Sequence, residues 1–255
     1  MFTDSHAHIT KEFYEDIDVV IKNAKLNNVN RIIIDADSIE SCYEVLDISS
    51  KYDNVYCCLG IHPENINENV YELDKIVEDN KDNPKFIAIG EIGLDYYWTK
   101  DTKDKQKEIL RHQMEIAKKY NKPVIIHSRE ATKDTIDILK EYPEVIGDIH
   151  CFSGSYETAE IYLKMGYYIG VGGVLTFKNA NIKDVIVKLP LNRLLLETDS
   201  PFLAPTPKRG ETNEPANIPI IADFLANLKG ISIDEVSKQT EKNINKLFNI
   251  GDINE

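Results

Sequence analysis

The sequence predicts one (β/α)8 TIM-like barrel, an α/β fold occupying residues 1–255 as a single domain. Two observations carry that expectation. Eight short runs rich in β-branched and aromatic residues alternate with amphipathic helical stretches, which is the pattern of a parallel sheet. The length of 255 residues suits one barrel, and no linker, low-complexity tract or short repeat divides it. A doubly wound open sheet is the alternative arrangement of the same units.

Taken in order, the candidate strands cover 2–6, 31–36, 55–61, 86–92, 124–128, 145–150, 167–171 and 193–197. Helical patterns cover 16–28, 39–51, 69–80, 103–120, 130–142 and 156–165, and two more at 219–228 and 233–248 close the chain. The clearest is 103–120, where Leu110, Met114 and Ala117 share one face. The Pro-rich segment 201–219 lacks periodicity and reads as a long loop after the eighth strand. Loops of that length are often functional.

Composition sets the class. With 42% hydrophobic and 29% charged residues and a mean hydropathy of −0.35, the chain reads as an ordinary globular protein rather than a disordered one. No run of about 18 apolar residues exists to span a membrane, and Met1-Phe2-Thr3-Asp4 does not begin a secretory signal. Cys42, Cys57, Cys58 and Cys151 lack paired metal spacing, and Cys57-Cys58 lies inside an apolar run. Buried free thiols and a reducing cytoplasm are the expectation. The net charge of −13 gives no global attraction for nucleic acid. A polyanionic substrate would need local help, such as bound divalent cations.

Of the six histidines, His112 lies mid-helix and is expected to be solvated. The other five lie at or just after strand ends, the active face of a barrel. His6 and His8 stand two apart in a strand, so both imidazoles can reach one metal. Taken alone, they also describe two polar residues near an exposed start. Glu91 follows an apolar run, where a carboxylate needs a salt-bridge partner or a metal. His127 ends Pro123-Val124-Ile125-Ile126, and His150 ends the run that begins at Val145. Asp199 follows Leu194-Leu195-Leu196; it is either a turn residue or a carboxylate delivered to the same rim. The joint pattern favours the rim, because four His, one Glu and one Asp suit two divalent cations. His62 is a substrate contact, a support for the metal ligands, or a plain turn residue. Arg129, Lys208 and Arg209 are candidate phosphate contacts, with ordinary surface charge as the alternative. Tyr96, Tyr97 and Trp98 either stack on a base or pack under a loop.

The stretches Asp4-Ser5-His6-Ala7-His8, Gly60-Ile61-His62-Pro63, Gly90 to Tyr96, His127-Ser128-Arg129, His150 to Gly154, Glu197 to Leu203 and Arg209 to Pro215 resemble the TatD family of metal-dependent deoxyribonucleases. That family lies within the amidohydrolase-like barrel superfamily. The matches follow family order along nearly the whole chain. The resemblance implies a TIM-like barrel, hydrolysis of DNA phosphodiesters and a pair of divalent cations. It implies one cation on His6, His8, Glu91 and Asp199, and a second on Glu91, His127 and His150, with Glu91 bridging. Magnesium is the expected ion, and manganese or zinc fit the same donors. Where relatives often carry a basic residue after the glycine matching Gly210, this chain has Glu211.

The expected activity is therefore a metal-dependent exonuclease on DNA, single-stranded or at ends, with Asp199 and Glu91 catalytic and no obligate protein partner evident. The rival enzyme is a carbon–nitrogen hydrolase of small cyclic amides, because fold does not fix function. A non-enzymatic scaffold is the third reading, and retention of all six ligand types argues against it.

Overall fold

A computed structural model describes residues 1–98 and 100–251. It contains eight strands: β1 Phe2–Ala7, β2 Val29–Asp35, β3 Val55–Leu59, β4 Phe86–Asp95, β5 Val124–Arg129, β6 Gly147–Ile149, β7 Tyr168–Val171 and β8 Leu194–Leu196. Each pairs in parallel with the next in sequence order. The circle closes just beyond β8. His8 N–H donates to Ser200 O at 2.7 Å, and Asp199 N–H donates to His6 O at 3.1 Å. The barrel, rather than the open sheet, is the fold.

The connections are α1 Ile17–Leu26, α2 Ile39–Lys51, α3 Val70–Asn80, α4 Lys103–Tyr120, α5 Thr132–Leu139, α6 Tyr156–Lys164, α7 Ile182–Ile186, α8 Ile218–Lys229 and α9 Ile233–Phe248. Their ends are set by local chemistry. Asp16, Ser155 and Ser232 cap α1, α6 and α9, and Ser38 with Ser41 forms a capping box at α2. Among these, α7 is a five-residue helix that the sequence reading does not assign, being too short to show a period. The strand bounds shift as well. β3 stops at Leu59, so His62 lies in the following loop, and β4 runs three residues past 92 to Asp95. No helix among the described residues is long and apolar enough to cross a membrane.

Strand alternation sorts the buried side chains into two sets. Ile32, Ile34, Cys57, Leu59, Ile126 and Leu194 face the helices and join the main core. Ile33, Cys58, Ala88, Ile125, Tyr168 and Leu195 face the lumen, where Ile244, Leu247 and Phe248 of α9 pack against them. Two residues further along the same strands, the lumen positions become Asp35, Gly60, Gly90, His127, Gly170 and Glu197. The glycines make room for this polar layer. A Cβ on Gly170 would lie 2.3 Å from Glu197 Oε2, and one on Gly90 would lie 3.1 Å from Asp35 Oδ1. The cysteines are free thiols, with Cys42, Cys57 and Cys58 buried and Cys151 half-buried.

Candidate metal centre

Glu91, in the middle of β4, is the hub. Its side chain is only 3% exposed. Oε2 lies 3.2 Å from His8 Nε2 and 3.6 Å from His6 Nε2. Oε1 lies 3.0 Å from His127 Nδ1 and 3.2 Å from His150 Nε2. Asp199 Oδ1 approaches from the β8 side, 3.6 Å from His6 Nε2 and 3.8 Å from His8 Nε2. Asp199 reaches that position with φ at 56°, a left-handed conformation that Asp tolerates better than most residues. Asp4 fixes the junction: its carboxylate accepts from Thr198 N at 2.9 Å and Thr198 Oγ1 at 2.5 Å. The loop that carries Asp199 is thereby tied to the strand that carries His6 and His8.

The other ring nitrogen of each of these four histidines lies near an oxygen. His6 Nδ1 lies 3.1 Å from Asp35 Oδ2, and His150 Nδ1 lies 3.5 Å from Glu197 Oε1. His127 Nε2 lies 3.1 Å from Asp95 Oδ2, and His8 Nδ1 donates to the Asp35 carbonyl at 3.2 Å. That carbonyl can only accept, so His8 keeps a proton on Nδ1 and Nε2 is the nitrogen available to a ligand. Outer carboxylates of this kind orient imidazoles at metal sites. His62 differs. Its Nδ1 accepts from Glu64 N–H at 3.3 Å, so in the neutral ring Nε2 carries the proton; that nitrogen lies 3.8 Å from Glu91 Oε1, beyond direct hydrogen-bond reach.

The electrostatics show a demand for positive charge. Burial pushes the Glu91 carboxyl upward, but the surrounding histidines, His150 foremost, outweigh it and hold the group well below the usual carboxylate range. Burial opposes charge on His8, yet Glu91 raises it to about 9. His127 and His150 are also raised against burial, by Asp95 with Glu91 and by Glu91 with Glu197 respectively. Burial lowers His62 to about 3, which keeps it neutral. Asp199 is raised by burial, with His150, His6 and His8 pulling the other way.

The donor set fits divalent cations. His6 Nε2 and His8 Nε2 lie within hydrogen-bond distance of each other at 3.1 Å, with the Glu91 and Asp199 carboxylates beside them, so imidazole nitrogens and carboxylate oxygens converge as a divalent cation requires. Among the described residues, three groups of donors gather within 4.8 Å: His6, His8 and Glu91; His6, His150 and Asp199; His62, Glu91 and His127. All six expected ligands therefore meet at one rim, and His62 joins them.

The other expectations separate. Arg129, two residues past His127, lies over the Tyr97 and Trp98 rings. Lys208 pairs with Glu211 at 3.1 Å, and Arg209 lies 3.7 Å from the centre of the Phe177 ring, so neither side chain reaches the histidine cluster through these contacts. His112 is not simply solvated. Its Nε2 lies 2.9 Å from Asp74 of α3 and ties that helix to α4. Asp35, Asp95 and Glu197 are residues the sequence reading left without a role. The signal available for Asp35 was the one used for Glu91, an acid following an apolar run. Glu197 sits two residues before Asp199, and Asp95 is the penultimate residue of the stretch from Gly90 to Tyr96.

Comparisons with known proteins bear on the family and the fold. The profile of the family described as TatD related DNase matches residues 3–249. The metal-dependent hydrolase YabD of Bacillus subtilis is 41% identical over 98% of this chain and 100% of its own length. The solved structure of YjjV, a TatD homologue from Escherichia coli K12, superposes with a TM-score of 0.92 at 33% identity, covering 98% of both chains. A TatD family hydrolase from Entamoeba histolytica superposes with a TM-score of 0.87 at 28% identity, covering 97% of both chains. The chain belongs to the TatD-related DNase family and is a metal-dependent hydrolase built on a (β/α)8 barrel.

Proposed function

We propose that this hydrolase cleaves DNA phosphodiester bonds as an exonuclease, using two divalent cations in one catalytic barrel of residues 1–255. Residues 99 and 252–255 of that span lie outside the described structure. The observation that supports it most is the convergence of His6 and His8 Nε2, the Glu91 carboxylate and Asp199 Oδ1 on one point. His6, His8, Glu91 and Asp199 would hold the first cation, and Glu91, His127 and His150 the second. Magnesium is the expected ion, with manganese or zinc suited to the same donors. Such cations supply charge stabilisation at the phosphoryl oxygens and lower the pKa of water.

The chain's own residues do the rest. Asp199 is held at the rim beside His6 and His8, and burial raises its proton affinity. It would take the proton of the attacking water. Neutral His62 offers its Nε2 proton to a substrate oxygen. Arg129 would hold a phosphate by charge-assisted hydrogen bonds. Asp35, Asp95 and Glu197 keep the imidazoles in position. The recessed rim suits a strand end or a single strand. Free cysteines suit work in the cytoplasm.

The deciding experiment incubates purified protein with end-labelled single-stranded DNA, and in parallel with cyclic amides, across several divalent metals and in excess EDTA. Metal-dependent release of nucleotides from one end is expected, together with about two cations per chain by elemental analysis and titration. Hydrolysis of the amides with DNA left intact would overturn the reading. So would cleavage undiminished by chelator, or a firm stoichiometry of one or none.

A further inference from the structure

The turn after β4 carries two rings that the hydrolytic chemistry leaves unused. Tyr96 packs inward at 6% exposure, whereas Tyr97 is 45% and Trp98 62% exposed. Exposed aromatics taken singly need no explanation, but this pair is held in a specific way. Asp95 Oδ1 accepts from the backbone N–H of both Tyr97, at 2.8 Å, and Trp98, at 3.0 Å. The other oxygen of the same carboxylate lies 3.1 Å from His127 Nε2. One buried acid therefore fixes both a candidate metal ligand and the turn that displays the rings.

Arg129 adds the cation. It pairs with Asp95 across β4 and β5, and its guanidinium stands 4.1 Å from the Tyr97 ring centre and 5.5 Å from that of Trp98. The two rings meet edge to face at 4.6 Å, and Trp98 remains 62% exposed. Aromatic faces joined to a guanidinium beside a phosphate-handling centre are the means by which proteins grip single-stranded nucleic acid. Stacking also answers the charge problem. A chain at −13 repels a polyanion at long range, whereas contact with a base face is insensitive to that field.

We propose that Tyr97, Trp98 and Arg129 form a base-stacking subsite, which takes the nucleobase next to the phosphate being cleaved. The inference rests on the nuclease reading and names how that substrate is held. It requires an unpaired base, which a single strand or a frayed end provides and an intact duplex does not.

Trp98 is the only tryptophan in the chain, so tryptophan emission reports on this one ring. Full-length protein, loaded with the metal that supports its activity, is titrated with a fluorescein-labelled, phosphorothioate-linked oligothymidylate that resists cleavage. Inorganic tripolyphosphate serves as the ring-free control. The oligonucleotide is expected to quench Trp98 emission as its anisotropy rises, and tripolyphosphate to leave the emission unchanged. In cleavage of ordinary single-stranded DNA, Trp98→Ala should raise KM roughly ten-fold, the scale of losing one base stack. Its kcat should stay within about two-fold, the mark of uniform binding rather than transition-state contact, and Trp98→Phe should restore most of the KM. If the wild type binds and cleaves the strand while emission stays fixed and Trp98→Ala keeps its KM, the subsite is wrong and the nuclease reading survives. If the wild type neither binds nor cleaves any oligonucleotide, both fall together.

Discussion

Two layers of the barrel lumen, one residue pair apart on the same strands, do opposite things. The lower layer is Ile33, Cys58, Ala88, Ile125, Tyr168 and Leu195, sealed by the apolar face of α9. The upper layer is Asp35, Gly60, Gly90, His127, Gly170 and Glu197. Both layers hang on the same eight-stranded frame, although Gly60 and Glu197 lie one residue past the ends of β3 and β8. The lower layer removes apolar surface from water and stabilises the closed sheet. The upper layer buries charge, which is costly unless partners compensate it. That cost is offset by the histidines around Glu91 and leaves the rim suited to positive charge: Glu91 is held well below the usual carboxylate range, while His8, His127 and His150 are raised against their burial. Stability and chemistry are separated by about 7 Å of strand, roughly two residues of rise.

The sharpest way to break the contrast is to remove the hub. Glu91→Gln should lower hydrolysis on the order of 1,000-fold, because several kcal/mol of transition-state stabilisation is lost at tenfold per 1.36 kcal/mol. The melting temperature in chelator should hold or rise, since a buried charge has gone. A large fall in melting temperature would mean that Glu91 is structural.

Asp199→Asn should lose at least about 100-fold in turnover at saturating metal, the scale of a positioned proton acceptor, with the fold retained. Asparagine keeps the size and one ligand oxygen but accepts no proton at neutral pH. A stable variant with normal turnover would reduce Asp199 to a turn residue, and a loss of about 0.5–2 kcal/mol in stability would then be its whole effect.

The layers can next be compared directly. Asp35→Asn should weaken metal affinity about 10- to 100-fold by freeing the His6 ring, as seen for outer-shell partners. Leu195→Ala, in the lower layer, should leave metal affinity unchanged and instead cost about 2–5 kcal/mol of stability through a cavity. Calorimetric metal titration and denaturant melts on both variants test this. Equal effects on both quantities would erase the distinction between layers.

The smallest expected effect is that of salt. With about two phosphate contacts, the logarithm of DNA affinity should fall against log salt with a slope near −1.4 for single strands. A slope steeper than about −4 would reveal a basic track elsewhere on the surface.

Much of this was legible in the residues alone. The alternation of apolar runs and helical periods determined a parallel sheet covered by helices and the order of its elements, because burial of both sheet faces imposes near-continuous hydrophobic strands; the hydrogen bonds that close the circle decided the barrel over the open sheet. The strand-end positions of His6, His8, Glu91, His127, His150 and Asp199 identified the ligand candidates, because strand direction sets which rim a residue joins. Only the tertiary structure decided how they group. The pairing of Asp35 with His6, Asp95 with His127 and Glu197 with His150 spans 29, 32 and 47 residues of sequence, and no local pattern encodes a contact between neighbouring strands or, for Glu197 and His150, past the intervening β7. The same holds for His62, which leaves its strand yet returns to Glu91, and for Trp98, whose exposure depends on a turn fixed by a carboxylate already committed to a histidine. Periodicity determines which face a side chain takes; closure of the barrel determines which partners it meets there.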